Sequence, residues 1–188
     1  MQTNVTDQPS KVQKPKTPIN AEMAAQFQAH HSRIYNYVRY RVDVMEDAED
    51  LVSAIFERAF TRFEQYDENK AQFSTWLFHI AHSVVSNYFR SRERQSNWQT
   101  GTEPPPDLIG VDPSPEEALI QQEAIVTLLQ GLSNLSERDQ EVISLKFMGR
   151  LGNKAIGEIM DLKEKTVSVT LLRAMRRLRT EMEKEAAS

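Results

Sequence analysis

Between Ser96 and Pro115 the chain holds Pro104-Pro105-Pro106, Pro113 and Pro115 together with Glu103, Asp107 and Asp112, and it has no Lys or Arg. A regular helix cannot run through such a stretch, because each proline fixes φ and removes a backbone donor, and like charges hold the segment extended. Helical periodicity lies on both sides of it. The chain must therefore fold as two small units joined by an acidic, semi-stiff linker, not around one continuous core. A length of 188 residues suits two such units.

Composition then fixes the class. Six Gly and an abundance of Glu, Gln, Arg, Leu and Ala favour helix throughout. The absence of Cys removes disulfides and thiolate metal sites. No apolar run approaches bilayer length and the start, Met1 to Lys16, is too polar for a signal peptide, so a cytoplasmic protein without membrane insertion is expected. A net charge of −4 argues against a uniformly basic coat for nucleic acid but leaves room for local basic faces. The expected fold is all-α: a disordered arm over 1–20, a helical bundle over 21–95, the linker over 96–115 and a helix-turn-helix domain over 116–188.

The N-terminal unit reads as four helices. The first, about Ala21 to Arg41, aligns Phe27, His31, Ile34 and Val38. The second, about Glu46 to Gln65, carries a wide apolar stripe of Ala48, Leu51, Val52, Ile55, Phe56, Ala59, Phe60 and Phe63 that must be buried. Its opposite face carries Asp50, Ser53, Glu57 and Glu64, which by themselves read as solvated surface. Ser74 is placed to cap the next helix, with Phe73 and Phe78 as a hydrophobic staple. On that helix Leu77, Ile80, Ala81, Val84 and Tyr88 face a core. A separate arc gathers Trp76, Ser83, Asn87, Arg90 and Arg94, an aromatic among small polar groups and guanidiniums that suits nucleic-acid backbone and unpaired bases.

The C-terminal unit gives the sharper pattern. Ser136 caps a helix with Asp139 at its third position, a rough capping box, and Val142, Ile143, Leu145, Phe147 and Met148 make that helix apolar on more than one side. Gly149 and Gly152 flank a break. A short helix follows over about Asn153 to Met160, with Gly157 where a second helix would pack closely, then a turn at Asp161-Leu162-Lys163 and a long helix from about Glu164 to Glu183. The inward seam Val167, Leu171, Ala174 and Leu178 completes a helix-turn-helix. Lys163, Lys165, Thr166, Ser168, Val169 and Thr170 then lie nearest the bases, while Arg173, Arg176 and Arg177 suit phosphates. A salt-bridged αα-hairpin is the bland alternative.

Taken together the two halves resemble a bacterial RNA polymerase sigma factor of the extracytoplasmic-function (ECF) type. Asp47-Ala48-Glu49-Asp50-Leu51-Val52, continuing to Phe56 and Arg58-Ala59-Phe60, is similar to that family's polymerase-binding helix. Phe73-Ser74-Thr75-Trp76-Leu77-Phe78-His79-Ile80-Ala81, running to Tyr88 and Arg90, resembles its promoter-melting, −10-reading segment. Leu135-Ser136-Glu137-Arg138, Thr166-Val167 and Arg173-Ala174-Met175-Arg176-Arg177-Leu178-Arg179 resemble its −35-reading domain.

The resemblance implies that Asp47, Asp50, Ser53 and Glu57 dock on the β′ clamp helices of core RNA polymerase. It implies that Trp76, Ser83, Asn87, Arg90 and Arg94 hold the non-template strand of promoter DNA, that the C-terminal helices meet the β flap, and that an anti-sigma factor is a partner. Capturing an unstacked base costs a few kcal/mol, so a preformed pocket is needed. No catalytic residue, cofactor or metal is implied, since polymerase does the chemistry. The family often has Asn where this chain has Ser83, and Lys or Arg where it has Ser168 and Thr170. Val169 and Leu172 lie on the outer arc of the recognition helix, facing either thymine methyls or a protein such as the anti-sigma factor.

A linker of this length averages about 25 Å as a coil and reaches at most roughly 65 Å. Promoter elements one and a half to two turns apart are separated by about 50–70 Å. Core polymerase is thus expected to stretch the linker, and isolated protein to bind promoter duplex poorly. Two other readings compete: a two-domain helix-turn-helix regulator that works without polymerase, and a metal-dependent enzyme using His79 and His82 or His30-His31.

Overall fold

A computed structural model of the chain describes residues 19–94, 127–128 and 130–185. The N-terminal arm, apart from its last two residues, and the whole linker lie outside the described residues. Helix α1 spans Ile19–Arg39, so Ile19 and Asn20 belong to the helix and not to the arm. Helix α2 spans Met45–Thr61, one 3-10 turn follows at Phe63–Gln65, and α3 spans Phe73–Arg94. The described part of this unit thus has three α-helices and a single turn where four helices were expected.

These three helices pack on one another around Ile34, Val38, Val42, Ala48, Val52, Ile55, Ala59, Leu77, Ala81 and Val84. Phe27 meets Phe56 edge to face at 4.5 Å, and the His31 ring stacks on the same phenyl at 5.7 Å. Phe60 departs from the expected stripe: it is 52% exposed, because the two neighbours of α2 leave that edge of its wide apolar arc uncovered. Buried Arg39 turns back and donates to the carbonyls of Val42 and Asp43, satisfying acceptors where α1 ends and the chain reverses.

Helix α3 begins two residues earlier than Ser74 as a cap predicts. The Gln72 carbonyl takes the first helical bond, from Trp76 N–H at 3.1 Å, so Ser74 lies inside the first turn. The staple does not form either. Phe73 joins an aromatic cluster with Phe63, Tyr66 and Trp76, while Phe78 turns away to meet Tyr37.

In the C-terminal unit, α4 spans Glu137–Phe147, α5 spans Asn153–Met160 and α6 spans Glu164–Glu185. A helical segment through residues 130–133 packs beneath them, with Gly131 close to Leu178 and Met182. Ser136 Oγ accepts from Asp139 N–H as a cap should, at 3.3 Å. The reciprocal half of the capping box is replaced, because the Asp139 carboxylate is taken by Arg177 of α6. After α4 the left-handed residue is Arg150 (φ 49°), and neither flanking glycine has a positive φ.

Candidate nucleic-acid interface

The turn between α5 and α6 shows why this sequence makes a helix-turn-helix. Asp161 is left-handed (φ 54°, ψ 49°), a conformation Asp tolerates, and Leu162 N–H returns to the Gly157 carbonyl at 2.8 Å. A Cβ on Gly157 would lie 2.5 Å from the Leu162 carbonyl oxygen. The close approach that Gly157 permits is therefore to the turn itself, not to a neighbouring helix. Ile156, Ile159, Val167, Ala174 and Leu178 are buried and fix the angle between the two helices.

The outer face of α6 is open. Lys163, Lys165, Thr166, Val169, Arg173 and Arg176 are exposed, and Thr170 is half-buried. Two of the residues predicted to meet DNA have partners inside the protein. Ser168 Oγ accepts from Asn153 Nδ2 at 2.9 Å and donates to the Glu164 carbonyl at 3.2 Å, while Asn153 Oδ1 accepts from Lys146 Nζ at 2.9 Å. This chain of bonds ties α4, α5 and α6 together. Arg177 closes on the buried Asp139. An unpaired buried carboxylate is costly, so Asp139 engages one nitrogen of that guanidinium, although the Arg177 side chain itself remains 60% exposed.

On the N-terminal unit, Ser83, Asn87 and Arg90 form one exposed strip of α3 with half-buried Trp76 on the same side. The Trp76 ring lies 5.3 Å from Tyr66 and 5.4 Å from Phe73, which holds the indole rigidly at the rim of the aromatic cluster. It is both core edge and platform. Arg94 is the last residue of α3, and its side chain lies outside the described residues.

The acidic face of α2 is only partly as predicted. Asp50, Ser53 and Glu57 are exposed on one side. Asp47, half-buried, instead accepts from Tyr88 Oη at 2.7 Å, and Arg92 donates to the same hydroxyl at 3.0 Å. Burial, reinforced by the Asp47 hydrogen bond, pushes the Tyr88 hydroxyl up to about 12. Asp47 thus joins α2 to α3 and leaves three residues on the open face.

One cluster escaped the sequence reading altogether. The Glu141 carboxylate of α4 accepts from Tyr37 Oη at 2.7 Å and contacts His82 Nδ1 at 2.9 Å, and it pairs with Arg41, which also lies 3.6 Å from Glu137. The Arg41 and Glu141 side chains are 1% and 4% exposed. Beside them Arg33 Nε donates to the Gly149 carbonyl at 3.1 Å, and Phe78 packs so closely that a Cβ on Gly149 would sit 3.0 Å from its ring. These residues join α1 and α3 of the first unit to α4 of the second, and α3 also packs on α5. His82 therefore belongs to a contact between the units and not to an open surface. Burial, then the charge of Arg41, holds its imidazole down at about 4. The apolar residues of α4 divide accordingly: Val142, Ile143 and Leu145 are buried, whereas Phe147 is 48% exposed and leaves an apolar edge of the helix open. Among the described residues no helix is long and apolar enough to cross a membrane.

Comparison with known proteins identifies both units. The sigma-70 region 2 family model matches residues 26–95, and the sigma-70 region 4 model matches residues 125–178. The ECF RNA polymerase sigma factor BldN of Streptomyces coelicolor is 28% identical over 152 residues, which cover 81% of this chain and 57% of BldN. The ECF sigma factor SigW of Bacillus subtilis is 25% identical over 159 residues, covering 81% of this chain and 84% of SigW. The chain thus spans little more than half of the first relative and most of the second. The sigma factor RpoE of Bartonella quintana, solved in complex with the anti-sigma factor NepR, has the same fold: TM-score 0.69 at 18% identity, over 86% of this chain and 97% of that one.

Proposed function

Because the chain belongs to the ECF sigma factors of bacterial RNA polymerase, we propose that it binds core polymerase, directs it to the promoters of a specialised stress or envelope-signal regulon, and opens the DNA there. The observation that carries this reading is the presence in one chain, in order, of an exposed acidic helix face, an exposed aromatic-polar arc and a helix-turn-helix. A regulator acting without polymerase would use only the last of the three. Asp50, Ser53 and Glu57 dock on the β′ clamp helices. Trp76 supplies a rigid stacking face for an unstacked base, and Ser83, Asn87, Arg90 and Arg94 hold the strand beside it. The N-terminal half of α6 enters the major groove of the −35 element, and the C-terminal unit meets the β flap. The chain works in the cytoplasm and performs no covalent step, which belongs to polymerase.

The Glu141 contact gives the isolated protein a closed form. Packed units cannot span about 50–70 Å of promoter, so polymerase must separate them. The solved complex of RpoE with NepR supports an anti-sigma factor as a further partner here. The docking surface is tested by charge reversal. Asp50→Lys with Glu57→Lys, both at exposed positions, is expected to weaken capture of core polymerase at least ~10-fold. Unchanged capture would remove α2 from the interface.

A further inference from the structure

The recognition helix α6 carries an unusual outward stripe. At ~100° per residue, Lys165, Val169, Leu172 and Arg176 lie opposite the buried seam of Val167, Ala174 and Leu178. Val169 is 42% exposed and Leu172 is 53% exposed, and among the described residues neither is covered by the first unit, whose α3 packs on α5. Exposed polar side chains that could read base edges, Lys163, Lys165 and Thr166, gather at the start of the helix, and fewer lie further along it. Ser168 is bonded to Asn153 and to the Glu164 carbonyl, and Thr170 is half-buried. Two branched apolar side chains thus stand at the centre of the face, with Lys165, Arg173 and Arg176 beside them.

That charge pattern selects the occupant. Cations flanking an exposed apolar centre on a convex helix match a groove walled by phosphates. Within the major groove the only apolar group that a base edge presents is the thymine C5-methyl. Against guanine or cytosine, Val169 and Leu172 would desolvate base N and O atoms without replacing their hydrogen bonds, which is unfavourable. Against thymine they bury methyl on methyl. Positions i and i+3 are ~4.5 Å apart along a helix, comparable with the ~3.4 Å step between base pairs.

We propose that Val169 and Leu172 are specificity-determining residues that read the methyl groups of thymines at two neighbouring A·T pairs of the duplex element. This rests on the assignment of the C-terminal unit as the −35 reader. Exposed Lys165, Arg173 and Arg176 anchor the flanking phosphates, so discrimination here comes from methyl contact more than from bidentate hydrogen bonds.

The test uses the full chain with core polymerase and promoter duplexes in which each thymine of the upstream element is replaced singly by uracil, which deletes only the methyl. Initiation is expected to fall about fourfold at each of two neighbouring thymines, the effect of one buried methyl, and to be unchanged at the others. Val169→Ala is expected to abolish the response at one position and Leu172→Ala at the other. Both residues are exposed, so folding should be preserved, as circular dichroism would verify. Insensitivity to every uracil, on an element whose scrambling still abolishes initiation, overturns methyl reading and leaves the −35 assignment intact. Initiation that survives scrambling of the whole element overturns the assignment itself. Uracil responses that persist unchanged in both alanine variants also overturn the proposal, and point to these side chains facing a protein.

Discussion

Removal of the Glu141 carboxylate should open the molecule without unfolding either half. In the closed form Arg41 and Glu141 are almost fully buried, and Tyr37 and His82 close on the same carboxylate at 2.7 and 2.9 Å. Glu141→Ala leaves the Arg41 guanidinium buried without its main counter-charge. Breaking a buried pair in this way costs about 3–5 kcal/mol. The two groups lie on different units, so separation returns Arg41 and Tyr37 to water and relieves the cost. The penalty falls on the packing equilibrium and not on the core of each unit. At about 1.4 kcal/mol per factor of ten, packing should weaken by roughly two to three and a half powers of ten. Small-angle scattering of the full chain should show a larger radius of gyration, with helix content by circular dichroism unchanged. A Glu141→Ala variant as compact as the parent would refute the reasoning, and so would one that loses helix as it expands.

Further consequences follow from the same geometry. Burial and the neighbouring charges of Arg41, His79 and Arg90 hold His82 at about 4 in the packed form, against the pull of Glu141, whereas a solvated histidine sits near 6.5. The open form therefore binds the extra proton, so packing should be strongest above pH ~6.5 and decline as pH falls towards ~4; compactness that rises on acidification would contradict this. Gly157→Ala forces a Cβ against the Leu162 carbonyl and should destabilise the C-terminal unit by about 1–3 kcal/mol, read as a lower melting temperature; an unchanged midpoint would mean that the turn gives way freely. Arg177→Ala strands the buried Asp139 and should lower stability while leaving the salt dependence of DNA binding nearly unchanged. Arg176→Ala should do the reverse, reducing the slope by about 0.9 for its lost phosphate contact. Equal slopes for the two variants would show that Asp139 does not hold Arg177.

The sequence made each helical unit legible to the extent that its own periodicity defines its own core. Val167, Ala174 and Leu178 recur at helical spacing, and Asn153–Met160 is bounded by a glycine-rich break and a short turn, so the helix-turn-helix could be read directly. Contacts between the units could not. Tyr37, Arg41, His82 and Glu141 are polar positions on amphipathic helices, and nothing in a helical period distinguishes a solvated glutamate from one that meets three partners across a boundary. Phe78, read as half of a staple, and Val85, left off the core-facing arc, are core residues for a related reason. They lie beside the arc of Leu77, Ile80 and Ala81, and are buried because α3 has neighbours on two sides. At the candidate sites residue type was a sound guide to which face is exposed. It could not reveal that Asp47 is bonded to Tyr88, Ser168 to Asn153, or Arg177 to Asp139, because each pairing depends on how two helices approach.

The central claim is that this chain gives core polymerase the ability to choose and open promoters. Run-off transcription on a genomic fragment library, with core polymerase alone and with core polymerase plus the purified chain, tests it most directly. Discrete transcripts from a small set of shared-sequence promoters are predicted only when the chain is present, and they should be lost with Trp76→Ala. Equal transcription with and without the chain, alongside tight binding of the free protein to duplex DNA, would contradict the claim and mark it as a regulator that works apart from polymerase.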